Sequence, residues 1–168
     1  MAEPDWIEVD VAAQRLRLHR GGKVVAEWPV STAAAGLGER NGSGCTPRGE
    51  HRVRLRIGAG CAPGTVFVGR RPTGEVHDAA LAAAHAGRDW ILSRILWLTG
   101  CESGRNRGGD CDTLRRFIYI HGTPDGEPMG TPRSHGCIRM RNADVIELFD
   151  QVGNGTRVVI RAPGVEPG

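Results

Sequence analysis

Short runs of alternating polar and apolar residues, separated by turn-forming residues, most strongly constrain how this 168-residue chain folds. Three such runs, residues 7–11, 15–19 and 23–30, follow one another closely, and Gly21-Gly22 separates the last two. Alternation over about four to eight residues is typical of a half-buried β-strand, and two glycines between strand-like runs favour a hairpin. The N-terminal third is therefore predicted to be antiparallel β-structure.

Strand-like runs also cover much of the remaining chain. Residues 51–57 alternate, and we expect Val53, Leu55 and Ile57 on one face of this strand and a charged face that contains His51 and three arginines. Short apolar or β-branched runs at residues 65–68, 90–98, 117–120 and 157–160 are interpreted as further strands. The Ala-rich residues 78–86 leave a helical turn and a loose loop both open.

One helix is predicted near residues 142–152. Asn142 is a suitable N-cap, Val145 and Leu148 belong to an apolar stripe at helical spacing, and Gly153 is expected to end the helix. The overall pattern predicts a mostly-β fold with one short helix.

Length and charge limit the classes of protein that fit. The length suits one domain, with a core over about residues 6–161 and a polar tail over residues 162–168. No apolar run approaches the ~20 residues needed to span a bilayer. The formal charge is +3, but Lys23 is the one lysine and the arginines are scattered, unlike the clustered basic face of a nucleic-acid-binding protein. We expect no nucleic-acid partner, although a positive surface suits a carboxylate-rich substrate.

The first ten residues have neither the basic nor the apolar region of an export signal. Removal of a signal, retention inside the cell and another export route all remain open. Five cysteines are an odd number, so complete pairing would still leave one free thiol. Cys101 and Cys111 bracket a Gly-rich loop, and both a disulfide and a reduced pair are open there.

Reactive side chains concentrate between residues 121 and 141, in a turn-rich stretch that contains Ser134-His135-Gly136-Cys137. A cysteine attacks carbonyl groups as the thiolate, and a neighbouring imidazole promotes its ionisation near neutral pH. His121, at the end of a predicted strand, and His135 are both candidates for this base. Gly136 permits unusual backbone angles, so neighbouring amides can converge on an oxyanion. The stretch therefore predicts a cysteine nucleophile with a histidine base.

Other interpretations of the same stretch remain open. His121, His135 and Cys137 are also three potential zinc ligands, although no second ligand pair follows at the usual spacing. An inert buried Cys137 and a packing His135 are the structural alternatives. Outside this stretch, residues 46–49 are interpreted as a turn and residues 105–107 as a solvated loop.

Several motifs together resemble the L,D-transpeptidase catalytic domain family, also called YkuD-type domains, over residues 7–160. The resemblance rests on Tyr119-Ile120-His121-Gly122-Thr123, Ser134-His135-Gly136-Cys137-Ile138-Arg139-Met140, Pro47-Arg48-Gly49-Glu50-His51, Pro29-Val30-Ser31-Thr32 and the helix over residues 144–150. It implies a β-sandwich or partly open barrel, capped by a short helix near residues 142–152.

The resemblance also implies roles for the catalytic residues. Cys137 is the implied nucleophile, and His121 is the implied base, oriented by the Gly122 backbone carbonyl. The backbone amides of His135, Gly136 and Cys137 are the implied oxyanion hole, and the His135 side chain shapes the pocket. No cofactor or metal is expected.

Substrate contacts are implied for Ser134, Gly122, Thr123 and Arg139. Arg139 replaces an asparagine found in some members, and a guanidinium there suits a carboxylate of the substrate.

The implied reaction is attack of Cys137 on a peptidoglycan tetrapeptide stem at the L-centre of its diamino acid, with release of D-Ala and transfer to an amine. Peptidoglycan stem peptides are the expected partners, and another stem or an envelope lipoprotein lysine is the expected acceptor. A carboxypeptidase or hydrolase and a non-catalytic peptidoglycan-binding module are the alternatives. The cell envelope or periplasm is the expected location, with cytoplasmic retention left open.

Overall fold

A computed structural model describes residues 3–163 of the chain. Its strands are β1 (Trp6–Asp10), β2 (Arg15–Arg20), β3 (Lys23–Pro29), β4 (Gly49–Ile57), β5 (Thr65–Val68), β6 (Arg71–Val76), β7 (Ile91–Gly100), β8 (Tyr119–Thr123), β9 (Ile138–Arg141) and β10 (Arg157–Arg161). The helices are α1 (Ala79–Ala84) and α2 (Asn142–Gln151). The mostly-β partly open barrel expected from the sequence is confirmed, whereas the single-domain assignment stays a prediction. Residues 164–168 of the predicted polar tail lie outside the described residues.

The strands form a curled sheet that branches at β7. The main order is β3-β2-β1-β10-β4-β7-β5-β6, and β8 and β9 leave this path because β8 pairs with β7 and then with β9. The pairs β1–β10 and β8–β9 are parallel, and the other pairs are antiparallel. The predicted hairpin is confirmed, since Gly21 and Gly22 join β2 to β3. The branch brings β8, which carries His121, into the middle of the sheet.

Helix α2 packs against the sheet through one apolar face. Val145, Leu148 and Phe149 are buried and belong to the same core cluster as Ile7 and Leu96. Burial of large apolar side chains such as these is the main stabilising contribution to a core. The helix therefore closes the curled sheet on one side, as expected.

The predicted N-cap of α2 is wrong. Arg141, in an extended conformation, occupies the N-cap position without a side-chain cap hydrogen bond, and Asn142 is the first helical residue. The Asn142 side chain instead accepts from the Ser93 hydroxyl at 2.5 Å and donates to the Thr123 carbonyl at 3.0 Å, so tertiary hydrogen bonds replace the local cap. At the other end Gln151 is the last helical residue and Val152 is the C-cap, so the helix ends just before Gly153, as predicted.

Strand β4 departs from the simple alternation that the sequence predicts. A register shift between Val53 and Leu55 leaves Leu55 38% exposed, so the expected apolar face is interrupted. His51 is fully buried and does not belong to a charged face. Its Nδ1 lies 3.0 Å from the Gly49 carbonyl oxygen, and its Nε2 lies 3.0 Å from the Thr113 hydroxyl.

The segment over residues 101–117 is also better packed than predicted. Asn106, expected in a solvated loop, is fully buried and donates to the carbonyls of Arg48 and Glu50. Of the two alternatives for residues 78–86, a helical turn and a loose loop, the structure has the helix α1, capped by Asp78. All five cysteines are free, so the alternative disulfide between Cys101 and Cys111 is not formed.

Candidate active site

The parallel strands β8 and β9 bring the candidate nucleophile and base together, with His121 in the middle of β8 and Cys137 just before β9. In the β8–β9 pair, Ile120 is opposite Ile138 and His121 is opposite Arg139. Continuing this register places Cys137 beside Tyr119, and the Tyr119 amide does donate to the Cys137 sulfur at 3.3 Å. Side chains alternate along a strand, so Tyr119, His121 and Cys137 project from the same face.

This face forms the wall of a cleft of about 330 Å³, called here the nucleophile cleft. Its lining contains two histidines, three arginines, the cysteine and one carboxylate among mainly apolar residues. These residues are Gly69, Arg70, Asp89, Ile91, Arg116, Phe117, Ile118, Tyr119, His121, Ser134, His135, Cys137 and Arg139. The cleft is therefore strongly cationic around the sulfur.

The Cys137 thiol is partly buried and held by two backbone groups. Its sulfur accepts from the Tyr119 amide at 3.3 Å and donates to the Phe117 carbonyl at 3.4 Å. Burial raises the pKa of this thiol to about 11, and the Tyr119 amide and the nearby arginines only partly oppose that effect. The neighbouring histidines in the sequence predict a lowered pKa for the Cys137 thiol, whereas its surroundings in the structure favour the neutral thiol before substrate binds. An adjacent base is therefore needed to take the proton.

His121 is the candidate for such a base because it lines the same cleft as Cys137. The side chain is buried, and its Nδ1 lies 2.6 Å from the Gly122 carbonyl oxygen, as the resemblance implied. A carbonyl only accepts, so Nδ1 carries the proton and Nε2 keeps its lone pair. Burial lowers the pKa of His121, which keeps the imidazole neutral near neutral pH.

Gly122 fixes this arrangement because no side chain fits at its position. A Cβ there would overlap the Leu92 carbonyl oxygen and would lie 2.7 Å from the Asn142 amide oxygen. The close approach of β7 explains why residue 122 is a glycine. The same packing positions the Gly122 carbonyl, which accepts from His121. Thr123, the next residue, is buried and its carbonyl accepts from Asn142.

The turn before Cys137 is built from internal hydrogen bonds. The Ser134 hydroxyl donates to the Cys137 carbonyl at 2.5 Å and accepts from the Gly136 amide at 3.2 Å. Gly136 has φ +129°, which favours glycine, and its carbonyl accepts from the Thr46 hydroxyl at 2.9 Å. Ser134 therefore supports the turn through its side chain, and the Gly136 amide is engaged before any oxyanion forms.

Arg139 and His135 both meet a carboxylate that sequence reasoning missed. Asp89 Oδ1 lies 3.0 Å from Arg139 Nη2, and Asp89 Oδ2 lies 3.5 Å from His135 Nδ1. The Arg139 side chain is only 10% exposed, whereas that of His135 is 77% exposed. Asp89 lies just before a predicted strand and does not belong to a recognisable sequence motif, so the local sequence does not identify it as a site residue.

Arg116 was also missed. Its guanidinium donates to the Cys45 carbonyl at 2.6 Å and to the Gly38 carbonyl at 3.3 Å while facing the nucleophile cleft. Its positive charge favours ionisation of Cys137. Arg116 reaches the cleft only because the segment over residues 101–117 folds against distant residues, and no local sequence pattern predicts this placement.

A larger cleft of about 620 Å³, called here the adjoining cleft, meets the first one at Asp89, His135 and Arg139. Its other lining residues include Trp90 from before β7 and Glu127 from the loop after β8.

Within residues 3–163, no group of three His, Cys, Asp or Glu side chains is placed to hold a metal ion. The zinc alternative therefore lacks a ligand set in this part of the chain. Neither helix in the same range is long and apolar enough to span a membrane.

The fold and the site define a class: a curled β-sheet in which one of two parallel strands carries a carbonyl-bound histidine and the other directly follows a cysteine. The family model described as the L,D-transpeptidase catalytic domain, YkuD, matches residues 4–160. The chain belongs to this family.

Individual relatives agree with that assignment. A putative L,D-transpeptidase YkuD of Bacillus subtilis is 58% identical over 61 residues, which are 33% of this chain and 37% of that protein. The chain thus matches little more than a third of the length of that relative. An L,D-transpeptidase from Mycobacterium smegmatis has a TM-score of 0.58 at 20% identity, covering 96% of this chain and 59% of its own.

Another solved structure is L,D-transpeptidase 3 from Mycobacterium tuberculosis in complex with a faropenem-derived adduct. It has a TM-score of 0.56 at 14% identity and covers 95% of this chain and 60% of its own. At such identities these two structures support the fold alone.

Proposed function

We propose that the chain is a peptidoglycan L,D-transpeptidase with Cys137 as nucleophile and His121 as general base. The observation that carries the proposal is the Nδ1 contact of His121 with the Gly122 carbonyl, at a histidine that lines the same cleft as Cys137. It leaves the Nε2 lone pair available on the face of the sheet that also bears Cys137.

The first half-reaction is acylation. His121 Nε2 takes the thiol proton as the sulfur attacks the carbonyl carbon at the L-centre of the stem diamino acid. The tetrahedral intermediate collapses when the C–N bond breaks, and the imidazolium returns the proton to the departing D-Ala amine. A neutral thiol beside a neutral imidazole is the correct starting state for this transfer.

The oxyanion of the intermediate requires amide donors, and the turn over residues 135–137 is the proposed source. The Gly136 amide exchanges its weak partner, the Ser134 hydroxyl at 3.2 Å, for the negatively charged oxygen. A hydrogen bond to an anion is stronger than one to a neutral hydroxyl, so the exchange favours the transition state.

The second half-reaction transfers the acyl group from Cys137 to an amine. Another stem peptide is the proposed acceptor, and a lipoprotein lysine is the alternative acceptor. Because peptidoglycan lies outside the cytoplasmic membrane, the cell envelope is the proposed place of action. Arg139, ion-paired with Asp89, and Thr123, at the adjoining cleft, are proposed to contact the substrate.

Mass spectrometry of a disaccharide-tetrapeptide after incubation with the protein tests the proposal. Dimers that have lost one D-Ala are the expected product. The Cys137→Ala variant is expected to form none, and Cys101→Ala, which removes an exposed cysteine, is the matched control that keeps full activity.

Each other product pattern identifies another function. Tripeptide monomers without dimers would indicate a carboxypeptidase, in which water is the acceptor. An unchanged substrate that still binds the protein would indicate a peptidoglycan-binding module.

A further inference from the structure

The charges around the nucleophile cleft are unbalanced. Among the described residues that line it, Asp89 is the one carboxylate, against three arginines. Cationic walls suit the carboxylates of a peptidoglycan stem, but they repel an amine acceptor. Such an acceptor is protonated near neutral pH, because an ordinary lysine amine has a pKa of about 10.4.

Asp89 is held in place and yet remains open to ligands. Its Oδ1 is fixed by the nearly buried Arg139 at 3.0 Å, which limits the orientations of the carboxylate. Its Oδ2 has only a long contact of 3.5 Å with the exposed His135, and the side chain is 47% exposed. A fixed carboxylate with one weakly engaged oxygen is a preorganised acceptor for an ammonium group.

The position of Asp89 also matches the path of an acceptor. It belongs to both the nucleophile cleft and the adjoining cleft, at the point where they meet. An amine that enters through the adjoining cleft thus reaches Asp89 before it reaches the acyl group on Cys137.

We propose that Asp89 binds the ammonium group of the acyl acceptor and thereby directs the Cys137 thioester to an amine instead of water. This inference rests on the proposed function. It assigns a specificity-determining residue for the second half-reaction, whereas acylation does not require it.

In the transfer step, the bound ammonium gives one proton to solvent, and the neutral nitrogen attacks the thioester carbon. The new C–N bond forms as the C–S bond breaks, and a second proton passes from the nitrogen through His121 to the sulfur, which restores the thiol.

The test compares Asp89→Asn with the wild-type protein in the transfer of one donor to two acceptors. Nα-acetyl-lysine amide carries an ammonium group and no carboxylate, whereas hydroxylamine is uncharged near neutral pH. In Asp89→Asn the half-saturating concentration of the lysine acceptor is expected to rise about tenfold or more, because a charged hydrogen bond is lost. Because the Asp89 charge also acts on Cys137 and pairs with Arg139, transfer is measured from the preformed acyl-enzyme, and the ratio of hydroxylamine product to hydrolysis product is expected to stay within about threefold.

Two variants serve as controls. Asp89→Glu keeps the charge and is expected to recover much of the selectivity for the lysine acceptor. Glu127→Gln removes the other carboxylate that lines the adjoining cleft, at a residue that does not line the nucleophile cleft, and is expected to change neither acceptor.

Several results would overturn the inference. Equal losses with both acceptors would mean that Asp89 only positions Arg139 and His135. A higher half-saturating concentration of donor with an unchanged acceptor would assign the ammonium to the donor stem. A wild-type protein that forms no acyl-enzyme would overturn the proposed function itself, and an acyl-enzyme without the difference between acceptors would overturn the inference alone.

Discussion

The surroundings of Cys137 combine two opposing effects on one sulfur atom. Burial disfavours the thiolate and raises the pKa to about 11, whereas the Tyr119 amide, Arg139 and Arg116 favour it. Asp89 adds to the effect of burial. The balance keeps a proton on the resting sulfur, so the proposed reaction requires transfer of that proton to His121 during attack.

The rate of Cys137 alkylation by iodoacetamide is therefore expected to keep rising well above pH 8.5, the ordinary pKa of a cysteine being about 8.5. The increase is expected to level off only near pH 11, as long as circular dichroism shows that the fold is retained. Peptide mapping by mass spectrometry follows this residue separately from the other cysteines. A midpoint near about 8.5 would contradict the effect of burial, and one well below about 8.5 would indicate a preformed thiolate–imidazolium pair.

Loss of His121 is expected to slow acylation of Cys137 by a carbapenem by about a hundredfold or more, the usual scale for a general base. The adduct is measured by intact-protein mass spectrometry on His121→Ala and on the wild-type protein. His85→Ala, at an exposed histidine that ends α1, is the control and is expected to react at the wild-type rate. A loss below about tenfold would move the assignment of the base to His135.

Cys137 and His121 could be identified as candidates because both belong to short motifs, and the structure brings both to the nucleophile cleft. The apolar, β-branched run at residues 117–120 is local information, and it predicts a strand that is found as β8, although His121 lies within this strand and not at its end as expected. Asp89 and Arg116 could not be found in this way, because their place at the cleft depends on contacts between distant segments.

The segment over residues 101–117 packs against the start of β4 and is held there by the buried Asn106 side chain. The Asn106 side chain donates to the carbonyls of Arg48 and Glu50 at 3.0 and 3.1 Å and accepts from the Glu102 amide at 2.9 Å. The segment leads into β8, which carries the candidate base His121. Correct packing of the segment therefore helps to position the candidate site.

Asn106→Ala is expected to lower the free energy of unfolding by about 3 kcal/mol, because it leaves buried backbone groups without partners. Denaturant unfolding measures the change. Asn154→Ala, at an exposed turn position, is the matched control and is expected to change stability by less than about 0.5 kcal/mol. Equal stabilities of the two variants would show that the Asn106 contacts contribute nothing.

Eight of the ten strands could be predicted from alternation or from apolar, β-branched runs, whereas β6, β9 and the pairing of the strands beyond the β2–β3 hairpin could not. The register shift between Val53 and Leu55 turns a regular sequence pattern into an interrupted one. Similarly, Asn142 has the residue type of a cap, yet it is used to tie α2 to Ser93 and Thr123. In both places contacts with distant strands outweigh a local preference.

For the whole molecule, buried histidines couple stability to pH. His51 donates through Nδ1 to the Gly49 carbonyl and accepts at Nε2 from Thr113, an arrangement that requires the neutral ring. Burial lowers its pKa to about 4. Between pH 6.5 and about 4 the unfolded chain therefore binds a proton that the folded chain does not.

The free energy of unfolding is expected to be fully maintained above pH 6.5 and to fall by roughly 3 kcal/mol for this group as the pH drops to about 4. The lowered pKa of His121 acts in the same direction. Denaturant unfolding across this range is expected to show a shallower dependence for His51→Gln, while the exposed His85→Gln keeps the wild-type slope. An unchanged slope in His51→Gln would contradict the role of His51.

Strand β10 has a consequence for how the chain folds as it is synthesised. It is the strand that joins β1 to β4, and its register pairs Trp6 with Arg157. Hairpins among β1, β2 and β3 can form early, but they cannot join the rest of the sheet until residues 157–161 have left the ribosome. Until that moment the nascent chain presents two unpaired strand edges, on β1 and on β4, to any chaperone or neighbouring chain that can add a strand.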